Sequence, residues 1–476
     1  MKKQLLFITA VVLSQITNCL LPTISSAQKI AACGVHSLAV CSDSSARAWG
    51  NNDYGQLGNG NNTDTNVPVQ VSTFTGITAI AEGSFHCFAL KNDSTVWAWG
   101  DNFYGQLGNG TWTNSNVPLQ VSSLTGISAI AAGNFHCLST TNNGAVWGWG
   151  YNNAGQLGNG TNTDSNVPIQ VSVLTGITAL AAGTYHSIAL KNDSTVWTWG
   201  FNNWGQLGNG TNTDSNLPAQ VNDLTGIIAI AAGFYHSLAL KSDSTVWAWG
   251  FNGYGQFGNG TNVSSYVPVH ISSLTGIIAI AAADEHSFAL KNDGTVWDCG
   301  YNGYGQLGNG TNTDSNVPVQ VSSLTGIIAM AGGTGYSLAL KNDGTVWAWG
   351  YNNYGQLGNG TNTDSNIPVQ VTGLCQVATS VNDAFPQTAG LGISVSIFPN
   401  PTSANSFINY TLSTPARVSI DLYDVLGNKL QQLVNGNQEQ GEHNTTLDAR
   451  KLANGVYLLQ IRAGDQMAEQ KVVVVN

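Results

Sequence analysis

The chain has 476 residues, of which only 9% are charged, and its formal net charge is −11. Such a balance argues against a phosphate-binding surface, which needs clustered Lys and Arg, so no nucleic-acid partner is expected. Solubility has to come from Asn, Thr, Ser and Gly, and the 56 glycines, set among β-branched and aromatic residues, point to many short strands.

Residues 1–27 read as a signal peptide. Lys2 and Lys3 supply the positive start, Leu5 to Leu13 a short apolar run, and Ser25-Ser26-Ala27 a small-residue cleavage site before Gln28. The run is too short and too interrupted to span a bilayer, and no other segment is long and apolar enough, so no transmembrane segment is expected. Cys19 raises lipidation, but Thr17-Asn18 before it is a poor match. Cleavage leaves Cys33, Cys41, Cys87, Cys137, Cys299 and Cys375. An exported chain can keep disulfides, and the absence of a CxxC pair gives zinc or thioredoxin-like chemistry no support.

A 50-residue repeat follows. Gly-Gln-Leu-Gly-Asn-Gly begins at Gly55, Gly105, Gly155, Gly205, Gly305 and Gly355, with Gly-Gln-Phe-Gly-Asn-Gly at Gly255. A strict period means one supersecondary unit stacked on copies of itself. Within one copy, Val67–Val71, Ile77–Ala81, His86–Lys91 and Thr95–Trp99 read as strands, with turns at Thr75-Gly76 and Asn92-Asp93 and a long connection over Asn102–Asn116. Four antiparallel strands and one crossing per copy describe a propeller blade, and seven would close a ring over 28–381. Lys29–Cys33 matches the second strand of this unit and Ile367–Val371 the first, so the last strand is expected to complete the first blade. The same register brings Cys41 close to Cys375 and predicts a disulfide; the alternative is two unpaired small apolar residues. Cys87 and Cys137, in the Ser slot of His-Ser, are expected to be buried thiols.

Ala-Ala-Gly-x-x-His-Ser-x-Ala-Leu-Lys, then Val-Trp-Ala-Trp-Gly-x-Asn and Gly-Gln-Leu-Gly, resembles the repeats of the regulator of chromosome condensation family. Good copies are Ala231–Leu240 with Val246–Gly250, and Val346–Gly358. The resemblance covers Gln28 to about Val381 and implies a seven-bladed β-propeller. The best-known member promotes nucleotide exchange on a small nuclear GTPase and binds chromatin; this acidic chain lacks a basic chromatin-binding segment, and that activity is not carried over. After a linker at 382–392, residues 393–476 read as a small C-terminal β-sandwich. Phe398-Pro-Asn-Pro-Thr402, Leu422-Tyr-Asp-Val-Leu-Gly427 and Leu452-Ala-Asn-Gly-Val-Tyr457 resemble the C-terminal sorting domain of type IX secretion cargo. That implies passage through the secretion machinery to the outer surface of a Gram-negative bacterium, or release from it. The expected fold is all-β throughout.

Recurrence separates scaffold from candidate site. His36, His86, His136, His186, His236 and His286 share one register, with Tyr336 in the seventh copy; a buried His bonded to the neighbouring blade explains this better than a shared metal. The Trp pairs, as in Trp97 and Trp99, read as packing between blades. Asn162-Thr-Asp164-Ser-Asn166 resembles the start of a calcium loop but lacks the later Gly and Glu, and reads as an Asx-rich turn. Asp93-Ser-Thr95, Asp193-Ser-Thr195 and Asp243-Ser-Thr245 look like bacterial O-glycosylation sequons and also like ordinary hairpin turns. More open to function is an aromatic set in the long connections: Tyr151, Phe201, Phe251, Tyr301 and Tyr351, and, three residues on, Tyr54, Tyr104, Trp204, Tyr254, Tyr304 and Tyr354. Beside Asn and Gly, such rings can stack on sugars or form a protein-binding rim, or simply pack on the next blade. Asp284 and Glu285 form the one acidic pair among the loop positions that vary between copies.

No nucleophile triad, phosphate loop, metal signature or facing carboxylate pair is evident, and no cofactor is expected. The expectation is a non-enzymatic, exported platform that recognises a protein or a glycan. The competing readings are a polysaccharide lyase or hydrolase working in the central funnel, and a purely structural or adhesive surface component.

Overall fold

The computed structural model describes residues 29–172, 174–377, 379, 393–398, 405–412, 414–423, 429–452, 455–464 and 466–474. The expected signal peptide, the linker and parts of the C-terminal motifs lie outside them. Two compact units result, Met1–Ala384 and Phe385–Asn476.

The first unit is a propeller of seven four-stranded antiparallel sheets, each made of strands consecutive in sequence. In blade 2 these are an inner strand Ile77–Glu82, a His strand His86–Lys91, a Trp strand Val96–Gly100 and an outer strand Ser115–Gln120. Blade 1 has Ile30–Cys33, His36–Val40, Ala46–Gly50 and Thr65–Gln70. The pattern steps by 50 residues to blade 7, with Ile327–Gly333, Tyr336–Lys341, Val346–Gly350 and Ser365–Gln370.

Side-chain size follows position in the blade. Inner strands converge on the axis and are built from Ala and Ile, as in Ile80-Ala81 and Ile280-Ala281. His strands are buried on both faces, because each lies between two neighbouring blades. Each seam encloses an apolar cluster; that between blades 1 and 2 joins Val40, Leu57, Ile77 and Trp99. Outer strands are edges, and each carries a proline, from Pro68 to Pro368, which removes a donor and discourages pairing with other chains.

The long connections lock each blade to the next. Gly60 N–H donates to Asn116 O at 2.9 Å, the same bond recurs around the ring, and Gly360 N–H donates to Asn66 O at 2.9 Å to close it. Gly55 permits this approach: its φ is +81°, and a Cβ there would lie 2.5 Å from Asn116 Cα.

Closure differs from the expectation. Ile367 lies in the outer strand of blade 7, where Gln370 pairs with Trp347 and Val369 with Ala348, and does not complete blade 1. The segment just beyond it does the closing. Ser42 N–H donates to Gln376 O at 2.8 Å, and Cys41 bridges Val377 in antiparallel fashion. In blade 2 the corresponding pairs are Asn92 with Gly76 and Lys91 with Ile77. Val377 therefore occupies the first position of blade 1's inner strand, which Ile30–Cys33 continues. Taking the sequence unit as the blade hid this, because the outer strand heads the repeat in one frame and ends the sheet in the other. Cys41 and Cys375 are joined by a disulfide with Cα atoms 5.7 Å apart.

The second unit has a three-stranded sheet of Ile393–Phe398, Asn405–Leu412 and Gly441–Asp448, and a four-stranded sheet of Lys429–Gln438, Ala416–Tyr423, Gly455–Ala463 and Gln466–Val474. Ile408, Tyr410 and Leu412 of the first meet Val418, Ile420, Leu459 and Val472 of the second in one core.

Candidate binding face

The recurrent His, Ser, Trp and Gln form one inter-blade device. His186 Nε2 lies 3.0 Å from Ser237 Oγ in the next blade. Ser237 Oγ donates to Gln206 O at 2.9 Å, and Trp249 Nε1 donates to the same carbonyl at 2.8 Å. Because the hydroxyl proton is committed to Gln206, Nε2 carries the proton it donates, and the neutral imidazole is held in that tautomer. Burial lowers the pKa of all six histidines to about 3. At the closing seam Tyr336 replaces the imidazole, and Ser37 Oγ lies 2.9 Å from its hydroxyl. Cys87 and Cys137 take the Ser role as buried thiols, 3.0 Å from His36 Nε2 and 3.3 Å from His86 Nε2.

Repetition also builds a continuous arc of rings on one face. The loop before each His strand and the connection after each Trp strand emerge on the same side, since His86 pairs with Gly100. Tyr104 meets Tyr151 at 4.7 Å between centroids, Tyr151 meets Tyr185, and Phe201 meets Tyr235. Trp204 then meets Phe251 at 4.9 Å, Tyr254 meets Tyr301 at 5.1 Å, and Tyr304 meets Tyr351 at 4.7 Å, with Tyr354 at the end. Most contacts are tilted or edge-to-face, the arrangement the ring quadrupole prefers. Of the eleven aromatic residues singled out in the connections, ten lie in this arc, and Tyr54 packs on Phe85 apart from it. Trp204 and Tyr304 remain 43% and 40% exposed, so the arc is both packed and presented. It stops where Asn51 and Asp101 replace the ring, and there Gln56 and Gln106 donate to those side chains instead.

Sequence reasoning missed the inner tier. Phe85, Phe135, Tyr185 and Tyr235 fill the residue before each His in blades 2–5, and Glu285 and Gly335 follow in blades 6 and 7. The signal was a position aromatic in successive copies, which the reading treated as variable. Glu285 stands in electrostatic contact with Tyr235 and Tyr301, and burial pushes its carboxyl up, with Asp284 and Asp314 adding to the shift. Asp284 points to the axis instead, where Thr334 Oγ1 donates to it, and burial raises its pKa too.

On the axis is a cavity of about 470 Å³, lined by the inner strands of all seven blades. Its wall is Ile and Ala; Cys33, Glu82, Asn134, Thr184 and Asp284 sit at the mouth on the aromatic face, and Lys29 at the other end. The opposite face carries the hairpin turns, in which Asp93 accepts from Thr95 N and Oγ1. The suspected calcium loop is spent internally: Asp164 Oδ1 accepts from Asn152 N–H at 2.8 Å, and Asn162 Nδ2 donates to Asn153 O. His270 lies on an outer strand against Trp247, away from this face.

The regulator of chromosome condensation (RCC1) repeat matches residues 48–90 and 93–139, a second pattern of that name matches 77–106 and 127–156, and the RCC1-like domain matches 162–396. The propeller belongs to the RCC1 family. Solved RCC1-like propellers share its fold. Prp20p of Saccharomyces cerevisiae, described with its binding to Gsp1p and histones, is 22% identical, with 73% of this chain and 88% of that chain covered and a TM-score of 0.64. Yeast RCC1 (Prp20) bound to Kap60 is 20% identical, covering 80% and 98%, at 0.64. Human WBSCR16 is 24% identical, covering 68% and 93%, at 0.62. No curated protein sequence matches the chain. The secretion system C-terminal sorting domain matches residues 396–475, so an RCC1-like propeller is here joined to a domain that implies export to the cell surface or beyond.

Proposed function

We propose that the protein is a non-enzymatic recognition platform at the bacterial surface, whose RCC1-like propeller binds a protein or glycan ligand through its aromatic face. The observation that carries this reading is the unbroken ring arc from Tyr104 to Tyr354, partly exposed and flanked by amides such as Asn153 and Asn353, which donate to Tyr151 and Tyr351 hydroxyls. Aromatic faces beside amide donors suit the apolar faces and hydroxyls of sugars, and equally the anchoring side chains of a protein partner. Asp284 and Glu285 add negative charge where the arc meets the axial mouth. The sorting domain delivers this surface outside the cell.

The test is a binding screen of the full chain against glycan arrays and extracellular proteins, repeated with Trp204→Ala and Tyr304→Ala. Both side chains are half exposed, so thermal stability should stay near wild type while affinity for the captured ligand falls at least tenfold. Unchanged affinity in both variants removes the aromatic face from the reading. Capture of sugars alone selects the glycan form, and capture of proteins alone the other.

A further inference from the structure

Three residues between blades 1 and 2 leave the repeat pattern together. Glu82 stands where the other inner strands carry Ala or Gly, as at Ala132 and Gly332. Cys87 stands where five blades carry Ser, and Cys33 where most carry Gly. Departures from so strict a repeat mark positions that serve something other than the ring.

Their geometry converges on one point. His36 Nε2 is 3.0 Å from Cys87 Sγ and 3.8 Å from Glu82 Oε2, and the three donor atoms all lie within 4.8 Å of one another. All three side chains are buried. Glu82 Oε2 accepts from Cys33 N–H at 3.0 Å, but Oε1 has no hydrogen-bond partner. A buried carboxylate oxygen without a donor is a costly arrangement that repetition would have avoided by keeping Ala.

We propose that His36, Glu82 and Cys87 form a binding site for a divalent transition metal ion of the zinc class, seated between blades 1 and 2. Imidazole, thiolate and carboxylate are the donors zinc takes. Bonds of roughly 2.0–2.3 Å to a tetrahedral ion place such donors roughly 3.3–3.8 Å apart, which these atoms approach with small movements. Binding displaces the proton that Cys87 now donates to Gln56 O and moves the His36 proton from Nε2 to Nδ1, which frees Nε2 to ligate, and the thiolate and carboxylate then balance the dication inside an apolar seam. Glu82 and Cys33 line the axial cavity, so the ion enters from its mouth. The next seam is an internal control: His86 Nε2 and Cys137 Sγ are 3.3 Å apart there, but Ala132 replaces the carboxylate and only two donors remain.

The experiment is a cobalt(II) titration of the metal-free, full-length chain, followed by thiolate-to-cobalt charge-transfer absorption and by displacement with zinc. Cys87→Ser and Glu82→Ala install residues that other blades carry at these positions, so both should fold, and far-ultraviolet circular dichroism checks this. Wild type and Cys137→Ser should bind one cobalt per chain with the thiolate band. Cys87→Ser should lose the band, and Glu82→Ala should bind at least tenfold more weakly. A wild type without the band, or a band that survives Cys87→Ser, overturns the proposal. Should Cys87→Ser fail to fold, the affinity of Glu82→Ala decides alone, and equality with wild type overturns it.

Discussion

At the scale of single residues, six copies of one buried imidazole make the ring sensitive to acid. Each histidine is neutral when folded, with its pKa lowered to about 3 by burial, while the unfolded chain titrates near the ordinary value of about 6.5. Below that value the unfolded state binds protons that the folded state refuses, so stability is full above it and drains as pH falls toward 3. Each histidine contributes a slope of up to about 1.4 kcal/mol per pH unit. Glu82 and Asp298 act in the opposite sense, because burial raises their pKa and the folded state keeps protons the unfolded chain has released. Asp284 and Glu285 act in the same sense as these two, and the six histidines, all shifted in one direction, set the sign of the net dependence. Urea unfolding across pH 7 to 4.5 should show the midpoint falling steeply at constant m. A flat profile would contradict the buried, neutral state assigned to the six inter-blade histidines.

Blades pack as elements, and the exceptional blade shows how tightly. Cys299 replaces the buried Trp in blade 6, and Phe257 replaces the Leu of the preceding connection. Both line the same small void with Leu238, Phe288 and Pro318, so the larger Phe refills most of the space the indole would occupy. Elsewhere a glycine abuts the indole, as Gly208 does Trp249, whereas Gly258 abuts Cys299 Sγ. The swap is volume-conserving across a seam, and the two positions should be strongly coupled. Cys299→Trp alone should overpack and cost about 1–3 kcal/mol, and Phe257→Leu alone should enlarge the void. The double variant should recover at least wild-type stability, since the introduced indole could then donate to Gln256 O as its counterparts in other blades donate to theirs; strict additivity of the single effects in chemical denaturation would refute this. The blade was legible in the sequence because its apolar alternation and turns recur seven times. Pairings across seams were less legible, since they depend on which residues of different copies meet. The connection aromatics of the arc were visible as exceptions to polarity, whereas Glu82 was a single substitution in an apolar strand with no local pattern to announce it.

In the whole ring, six of the seven blade-to-blade connections continue into a full inner strand, whereas the segment that leaves blade 7 supplies Val377 to the inner strand of blade 1, is held there by backbone pairing and one disulfide, and Ile30–Cys33 comes from the other end of the propeller. Cys41 aligns with Lys91 and Cys375 with Thr325, so the two cysteines replace residues that an unbroken repeat would carry. Their bond therefore pins the segment that crosses from blade 7 to the His strand of blade 1, where the inner strand is assembled from the two ends of the propeller. It joins residues 334 positions apart, and the chain-entropy relation gives a stabilisation of about 5–6 kcal/mol for a loop of that length, acting through the unfolded state. The native ring does not need the bond for its geometry. Gln376 and Val377 would still pair with Ser42 and Cys41 through the backbone, and Gly360 with Asn66. A Cys41→Lys, Cys375→Thr variant should accordingly fold to the same propeller and show the same circular dichroism. Its unfolding free energy should be lower by several kcal/mol, and reductant should lower that of wild type by the same amount while leaving the variant unchanged. A wild type indifferent to reductant would mean that the noncovalent seam alone holds the ring shut, and that closure owes nothing to the covalent link.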